Sequence, residues 1–221
     1  MTRIIQGVFD FQRKVFGPMQ GLFEDLHGGQ QPLALFITCS DSRIDPNLLT
    51  QTEPGELFVL RNAGNIVPPF GSATSGEAAT IEYAVRHLRV RDIILCGHSQ
   101  CGAMQGVLAP TAVADMQGVS EWLRNADAAL ERARGLEPPP TPEQILPRVI
   151  EQNVLLQVEH LQTYPEVREA AAAGKLRLHG WLYHFETGEV TAYDASSQRF
   201  VPLANAPRQK LLAPLNESGE S

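Results

Sequence analysis

The chain has 221 residues, 43% of them hydrophobic and 19% charged, with a formal net charge of −7 and three cysteines. Such a length and balance belong to one globular domain with a substantial core. Net negative charge without a Lys/Arg stripe argues against nucleic-acid affinity, and no apolar stretch is long enough for a membrane helix, so a small-molecule partner is expected.

Residues 2–16 set Ile4, Ile5, Val8, Phe9, Val15 and Phe16 against Arg3, Asp10, Arg13 and Lys14. This is the pattern of an amphipathic helix and lacks a signal-peptide core, so no export is expected. Residues 33–38, 57–60 and 93–96 are nearly continuous apolar runs, which predict parallel strands covered on both faces. Between the second and third, residues 75–88 form a helix starting near Ser75 or Gly76. Residues 115–134 read as a helix, 135–142 as a Pro-rich loop joining helices, and 143–161 as a longer helix with Ile145, Val149, Val154, Leu155 and Val158 at helical spacing. Residues 176–185 and 189–193 flank Thr187-Gly188 as a β-hairpin at the sheet edge, and 206–221 are expected to be a flexible tail. The alternation predicts an α/β fold: a central, mainly parallel β-sheet flanked by helices, with an antiparallel edge hairpin and a projecting N-terminal helix. One domain is expected over residues 1–205, with 1–26 as a helical arm.

Two short strings carry the chemistry. Cys39-Ser40-Asp41-Ser42-Arg43 follows the first strand and His98-Ser99-Gln100-Cys101 follows the third. If those strands lie side by side and parallel, their C-terminal loops meet where strand order reverses, which is where ligands gather in open α/β sheets. Two thiolates and an imidazole then suit zinc, with Asp41 as a displaceable fourth ligand. A position that can open reads as catalytic: zinc would acidify a bound water and generate hydroxide near neutral pH. Two thiolates donate more charge than two imidazoles, so the activity profile should lean alkaline. Arg43 would pair with Asp41, keep it ionised and off the metal, and leave it to orient the nucleophile. Cys96, inside an apolar strand, is expected to be core packing, and three cysteines without a disulfide framework point to a reducing cytoplasm.

At these residues the chain resembles the β-class carbonic anhydrases. Pro54-Gly55-Glu56-Leu57-Phe58-Val59, Arg61-Asn62-Ala63-Gly64-Asn65, Glu82-Tyr83-Ala84-Val85, Cys96-Gly97-His98 and His179-Gly180-Trp181 share the likeness, which covers nearly the whole chain. The resemblance implies reversible hydration of carbon dioxide to bicarbonate and a proton, one Zn²⁺ per subunit on Cys39, His98 and Cys101, and a gating pair of Asp41 and Arg43. It implies that Gln30 hydrogen-bonds substrate, that Phe58 and Tyr83 form an aromatic wall, that Ala63 stands at a position often held by Val, and that the Gly102 N–H helps hold a substrate oxygen. His87, four residues after Tyr83, matches a proton relay. Arg61 and Tyr183 match two members of a bicarbonate-inhibition site, but Phe36 stands where that site has Trp, which favours a constitutively open arrangement. The resemblance also implies a homodimer or homotetramer, and is nearest to bacterial members, including cyanate-associated and carboxysomal ones. Carbon disulfide hydrolysis on the same fold and a non-catalytic zinc-stabilised scaffold are the competing readings; the presence of Asp41, Arg43 and Gln30 together favours chemistry.

Overall fold

The structure, a computed structural model, describes residues 1–72 and 75–205; the tail expected over 206–221 lies outside the described residues. The chain divides into two compact units, Met1–Gln31 and one beginning at Pro32. The first unit runs through α1 (Thr2–Asp10), a π-helical turn (Phe11–Val15) and α2 (Phe16–His27), so the amphipathic stretch read over 2–16 continues through the rest of the arm expected over 1–26. Its apolar face stays uncovered: Ile4, Ile5, Val8, Phe9 and Phe11 are exposed, and neither helix contains a buried residue.

The second unit is built on six strands, β1 (Ala34–Cys39), β2 (Leu57–Asn62), β3 (Asp92–His98), β4 (Arg177–His184), β5 (Glu189–Asp194) and β6 (Arg199–Pro202), in the order β2-β1-β3-β4-β5-β6. The first four are parallel and the last two antiparallel. β1 and β3 are adjacent, so the chain leaves β1 towards one edge and returns to its other side. The switch point therefore lies between the C-terminal ends of β1 and β3.

All six residues of β1 are buried, and alternate side chains enter different layers. Leu35, Ile37, Ile93 and Leu95 join the main core, while Ala34, Phe36, Ile94 and Cys96 face the other way with Trp181 and Tyr183 packed against them. Cys96 is fully buried, as its apolar setting predicted. The expectation of two covered faces fails for β2, which is an edge strand with Val59 37% exposed. A short apolar run does not tell an interior strand from an edge strand.

Helices α3 (Pro46–Thr50), α4 (Gly76–Glu82), α5 (Gly102–Leu108), α6 (Gln117–Leu123), α7 (Asp127–Arg134), α8 (Ile145–Gln162) and α9 (Pro165–Ala172) complete the unit. Local chemistry sets several starts. Ser75 Oγ accepts the Ala78 N–H at 3.2 Å and Asp45 Oδ1 the Leu48 N–H at 3.0 Å, capping α4 and α3, and Pro46 and Pro165 occupy first-turn positions where no N–H is needed. The single helix expected over 115–134 is broken into α6 and α7. At the break, Asn125 Nδ2 donates to the Trp122 carbonyl at 2.9 Å, a local bond that competes with the helical ladder. The expected antiparallel hairpin is present, β4 and β5 pairing across Thr187-Gly188; β4 is also parallel to β3 on its other side, and one further antiparallel strand, β6, lies outside β5.

α8 packs on β3 and β4 through Val154, wedged over two glycines. A Cβ on Gly97 would stand 2.8 Å from Val154 Cγ2, and one on Gly180 2.9 Å from Val154 Cγ1. Helix and sheet thus approach to the distance that only missing side chains allow.

Candidate metal centre

Cys39 is the last residue of β1, His98 the last of β3, and Cys101 immediately precedes α5. Strand pairing places Cys39 and His98 at the same end of adjacent strands, and the two-residue loop Ser99-Gln100 returns Cys101 to them. Their ligand atoms lie within 4.8 Å of one another, and all three residues are buried. The convergence read from the two strings is therefore present.

The cluster is chemically fitted to a cation. His98 Nδ1 lies 2.8 Å from the Ser99 carbonyl oxygen. A carbonyl can only accept, so in the neutral ring Nδ1 carries the hydrogen and Nε2 presents its lone pair. Nε2 is buried and has no hydrogen-bond partner among the described residues. An orphaned buried acceptor beside two sulfurs is costly alone, and a metal ion is a partner that would satisfy it.

The electrostatics agree. The Cys101 thiol hydrogen-bonds Cys39 and holds it well below the usual thiol range, against burial, with His98 and the Gly64 N–H assisting. That same bond, together with burial, pushes Cys101 up. Burial works against a charged His98, but the Cys39 sulfur, the Ser99 carbonyl and Asp41 outweigh it, so the ring's pKa is raised. The pocket favours positive charge.

Asp41 stands at the rim, its Oδ2 3.9 Å from His98 Nε2. Arg43 holds it bidentately, Nε to Oδ1 at 2.9 Å and Nη2 to Oδ2 at 2.7 Å, and the Arg43 backbone N–H adds a bond to Oδ1 at 2.9 Å. The Arg43 side-chain bonds, above all, keep the Asp41 carboxyl far below its ordinary range despite partial desolvation.

Several supporting contacts escaped the sequence reading. Arg61 donates to the carbonyls of Cys39 (3.0 Å), Asp41 (2.7 Å) and Ile44 (2.9 Å), so its guanidinium staples the loop that follows β1. A lone cation in an apolar strand was the available signal. Phe36, which stands where the bicarbonate-inhibition site has Trp, is fully buried with its ring 6.3 Å from that of Trp181. The Phe185 ring lies 4.4 Å from the Arg43 guanidinium and 6.2 Å from the His98 ring. The Gly64 N–H donates to Cys39 Sγ at 3.3 Å, while the Gly64 carbonyl accepts from Asn153 Nδ2 on α8 at 3.0 Å. Farther along that loop Gln157 Oε1 accepts the Val67 N–H at 2.9 Å, and Gln157 Nε2 donates to Asn153 Oδ1 at 3.0 Å.

The remaining expected site residues are not all gathered here. Ala63 follows Asn62, the register partner of Cys39, and its carbonyl accepts from Trp122 Nε1 at 2.8 Å; Gly102 is the exposed first residue of α5. Phe58 instead pairs with Leu35, four residues before Cys39, about 13 Å along the strand. Tyr83 lies against Phe58 with ring centroids 5.9 Å apart, and His87 stacks on Tyr83 at 4.6 Å; Tyr83 and His87 are exposed. Gln30 is exposed in the N-terminal unit.

A family model for carbonic anhydrase matches residues 34–190. Carbonic anhydrase 1 of Escherichia coli O157:H7 is 47% identical over 214 residues, covering 94% of each chain. The solved structure of the β-carbonic anhydrase CcaA is 44% identical with a TM-score of 0.88, over 91% of this chain and 98% of that one. One of two tetrameric β-carbonic anhydrases from the ascomycete Sordaria macrospora is 32% identical with a TM-score of 0.69, over 86% and 92%. With these likenesses spanning both the sheet and the loops that carry the Cys/His/Cys cluster, the chain belongs to the β-carbonic anhydrases, which are lyases.

Proposed function

We propose that this protein reversibly hydrates carbon dioxide to bicarbonate and a proton, using one Zn²⁺ per subunit held by Cys39, His98 and Cys101. The observation that carries the reading is the buried Nε2 of His98, without a hydrogen-bond partner among the described residues and beside two sulfurs, with the nearest carboxylate already claimed by Arg43. Bound there, zinc supplies the positive charge that lets a water lose its proton near neutral pH. Asp41, kept ionised by Arg43, accepts a hydrogen bond from the attacking oxygen and turns its lone pair towards the carbon of carbon dioxide. The Gly102 N–H, free of any intrahelical partner in the first turn, serves the oxygen on which negative charge develops.

Gln30, Phe58 and Tyr83 act across a subunit boundary in this reading. The separation of Phe58 from Cys39, the exposed Tyr83 and the bare apolar face of α1 support a homodimer, or a dimer of dimers, in which each copy lends these residues to the other's cluster. Phe58 and Tyr83 then exclude water around an uncharged linear substrate, and Gln30 donates to it. His87, stacked on Tyr83 and open to solvent, takes the released proton outward. Three free cysteines suit the cytoplasm.

Stopped-flow hydration on zinc-loaded protein, beside a chelator-stripped control and a carbon disulfide arm, tests the proposal. Metal-dependent carbon dioxide hydration is the expected result. Turnover of carbon disulfide alone, or none of either substrate by fully loaded protein, would overturn it.

A further inference from the structure

The turn after β4 reaches into the metal centre, although nothing in the expected chemistry calls on it. Phe185 lays its ring 4.4 Å from the Arg43 guanidinium, on the cation whose other contacts are the Asp41 carboxylate and the Gln100 carbonyl at 3.2 Å. The Phe185 backbone is itself tied to the loop carrying His98. Its N–H donates to Ser99 Oγ at 3.2 Å, Ser99 Oγ donates to Glu186 Oε2 at 2.6 Å, and the Ser99 N–H donates to the Tyr183 carbonyl at 2.9 Å. Ser99 thus joins two adjacent residues of the turn to the neighbour of a ligand. The Arg43 side chain is 49% exposed, so without the ring it would be largely in water.

We propose that Phe185 is a positioning residue that holds Arg43 on Asp41, with Ser99 and Glu186 as the latch that holds Phe185, so that the turn after β4 keeps the fourth metal position open. The inference rests on the functional reading above. The physical argument is a competition. Asp41 Oδ2 already lies 3.9 Å from His98 Nε2, and its bidentate pairing with the Arg43 side chain, added to the Arg43 backbone N–H on Oδ1, diverts it from the metal position. A ring face on the guanidinium favours the one rotamer in which both bonds form. Removing that face lets Arg43 wander, and Asp41 closes the position. A ligand that needs the open form then binds with an apparent affinity reduced by the open fraction.

The test uses cobalt(II)-loaded full-length protein titrated with azide, an anion that must enter the fourth position, read by visible absorbance at one fixed pH. Phe185→Leu keeps the bulk but not the aromatic face, and Phe185→Tyr keeps both. The leucine variant should bind azide about twofold to fivefold more weakly, the span of a cation–π contact at a half-exposed cation, with hydration turnover of the zinc form falling in parallel. The tyrosine variant should restore both. Unchanged azide affinity in Phe185→Leu, or equal weakening in the tyrosine variant, overturns the proposal. Should Phe185→Leu not take up one cobalt per chain, Ser99→Ala, which releases the turn while leaving the ring, carries the same comparison. Wild-type protein that binds azide but hydrates no carbon dioxide would sink the functional reading and leave the positioning role standing; active wild type with an indifferent leucine variant does the reverse.

Discussion

Gly97→Ala tests whether the close approach of α8 to the sheet is what seats His98. A Cβ at residue 97 would stand 2.8 Å from Val154 Cγ2, 3.1 Å from Leu182 Cδ2 and 3.6 Å from Ile150 Cγ2. The valine cannot rotate away, because a helical Val has one favoured rotamer and its other methyl already fills the space over Gly180. Overpacking of this kind costs about 1–3 kcal/mol, and a contact this short belongs in the upper part of that range. The alanine's entropic advantage in the unfolded chain, about 0.4–1 kcal/mol, does not reverse it. Val154→Ala alone removes two buried methyls, about 1.6 kcal/mol by transfer with a cavity contribution added. In the double variant the shortest contact is gone and only the one to Leu182 remains tight, so the two penalties should fall short of additivity by about 1 kcal/mol. Urea unfolding of metal-free protein at fixed concentration measures the cycle, and chelator competition on the zinc form should show weaker metal binding for Gly97→Ala that Val154→Ala partly restores. Strict additivity, or a Gly97→Ala variant as stable and zinc-tight as wild type, would show that the contact yields freely.

Arg43→Ala should keep one zinc per chain yet lose most hydration activity, because Asp41 is released to the metal; near-normal turnover would remove the pair from the mechanism. Burial pushes the Cys96 thiol up to about 12, so iodoacetamide at pH 8 should leave it unmodified by mass spectrometry until denaturant is added; labelling of the native chain at the rate of an exposed thiol would contradict its place in the core. Asp92 loses solvation on burial, but hydrogen bonds from His179 (2.7 Å) and Arg177 (2.8 and 2.7 Å) more than compensate and leave its pKa below the usual carboxylate value. A depressed folded-state pKa means the contribution is full above the unfolded value of about 3.9 and fades as pH falls through the folded one. Asp92→Asn should therefore cost stability at pH 6 and progressively less in acid, measured by urea midpoints; a gap that widens in acid would refute the assignment. Sulfur-rich ligation should make hydration rise towards alkaline pH, and a rate profile already flat at pH 6 would count against it.

What could be read in the chain was what depends on near neighbours in sequence. The β1 and β3 runs lie deep in the sheet, and their following strings sit where parallel strands must deliver them, so Cys39, His98 and Cys101 could be brought together on paper. Asp41 and Arg43 are two residues apart, and their pairing needs nothing else. Edge or interior placement was not legible, because Leu57–Leu60 looks like an interior strand until β3 takes the other flank of β1. Nor was the reach of Phe185 to Arg43, or of Asn153 to Gly64, each set by the packing of elements far apart in the chain. The break at Asn125 was hidden because a capping side chain and a helix-surface side chain look alike in sequence.

Gly64 turns its N–H towards the Cys39 sulfur and its carbonyl towards Asn153, at a φ of +82° that other residues rarely adopt. A sulfur that accepts an N–H has less electron density to offer an oxidant, and the amide of Asn153 steadies the peptide that makes that offer smaller. Asn153 thus bears, through Gly64, on how readily the Cys39 sulfur meets an oxidant, and its loss should show first as faster oxidation of Cys39 by dilute peroxide.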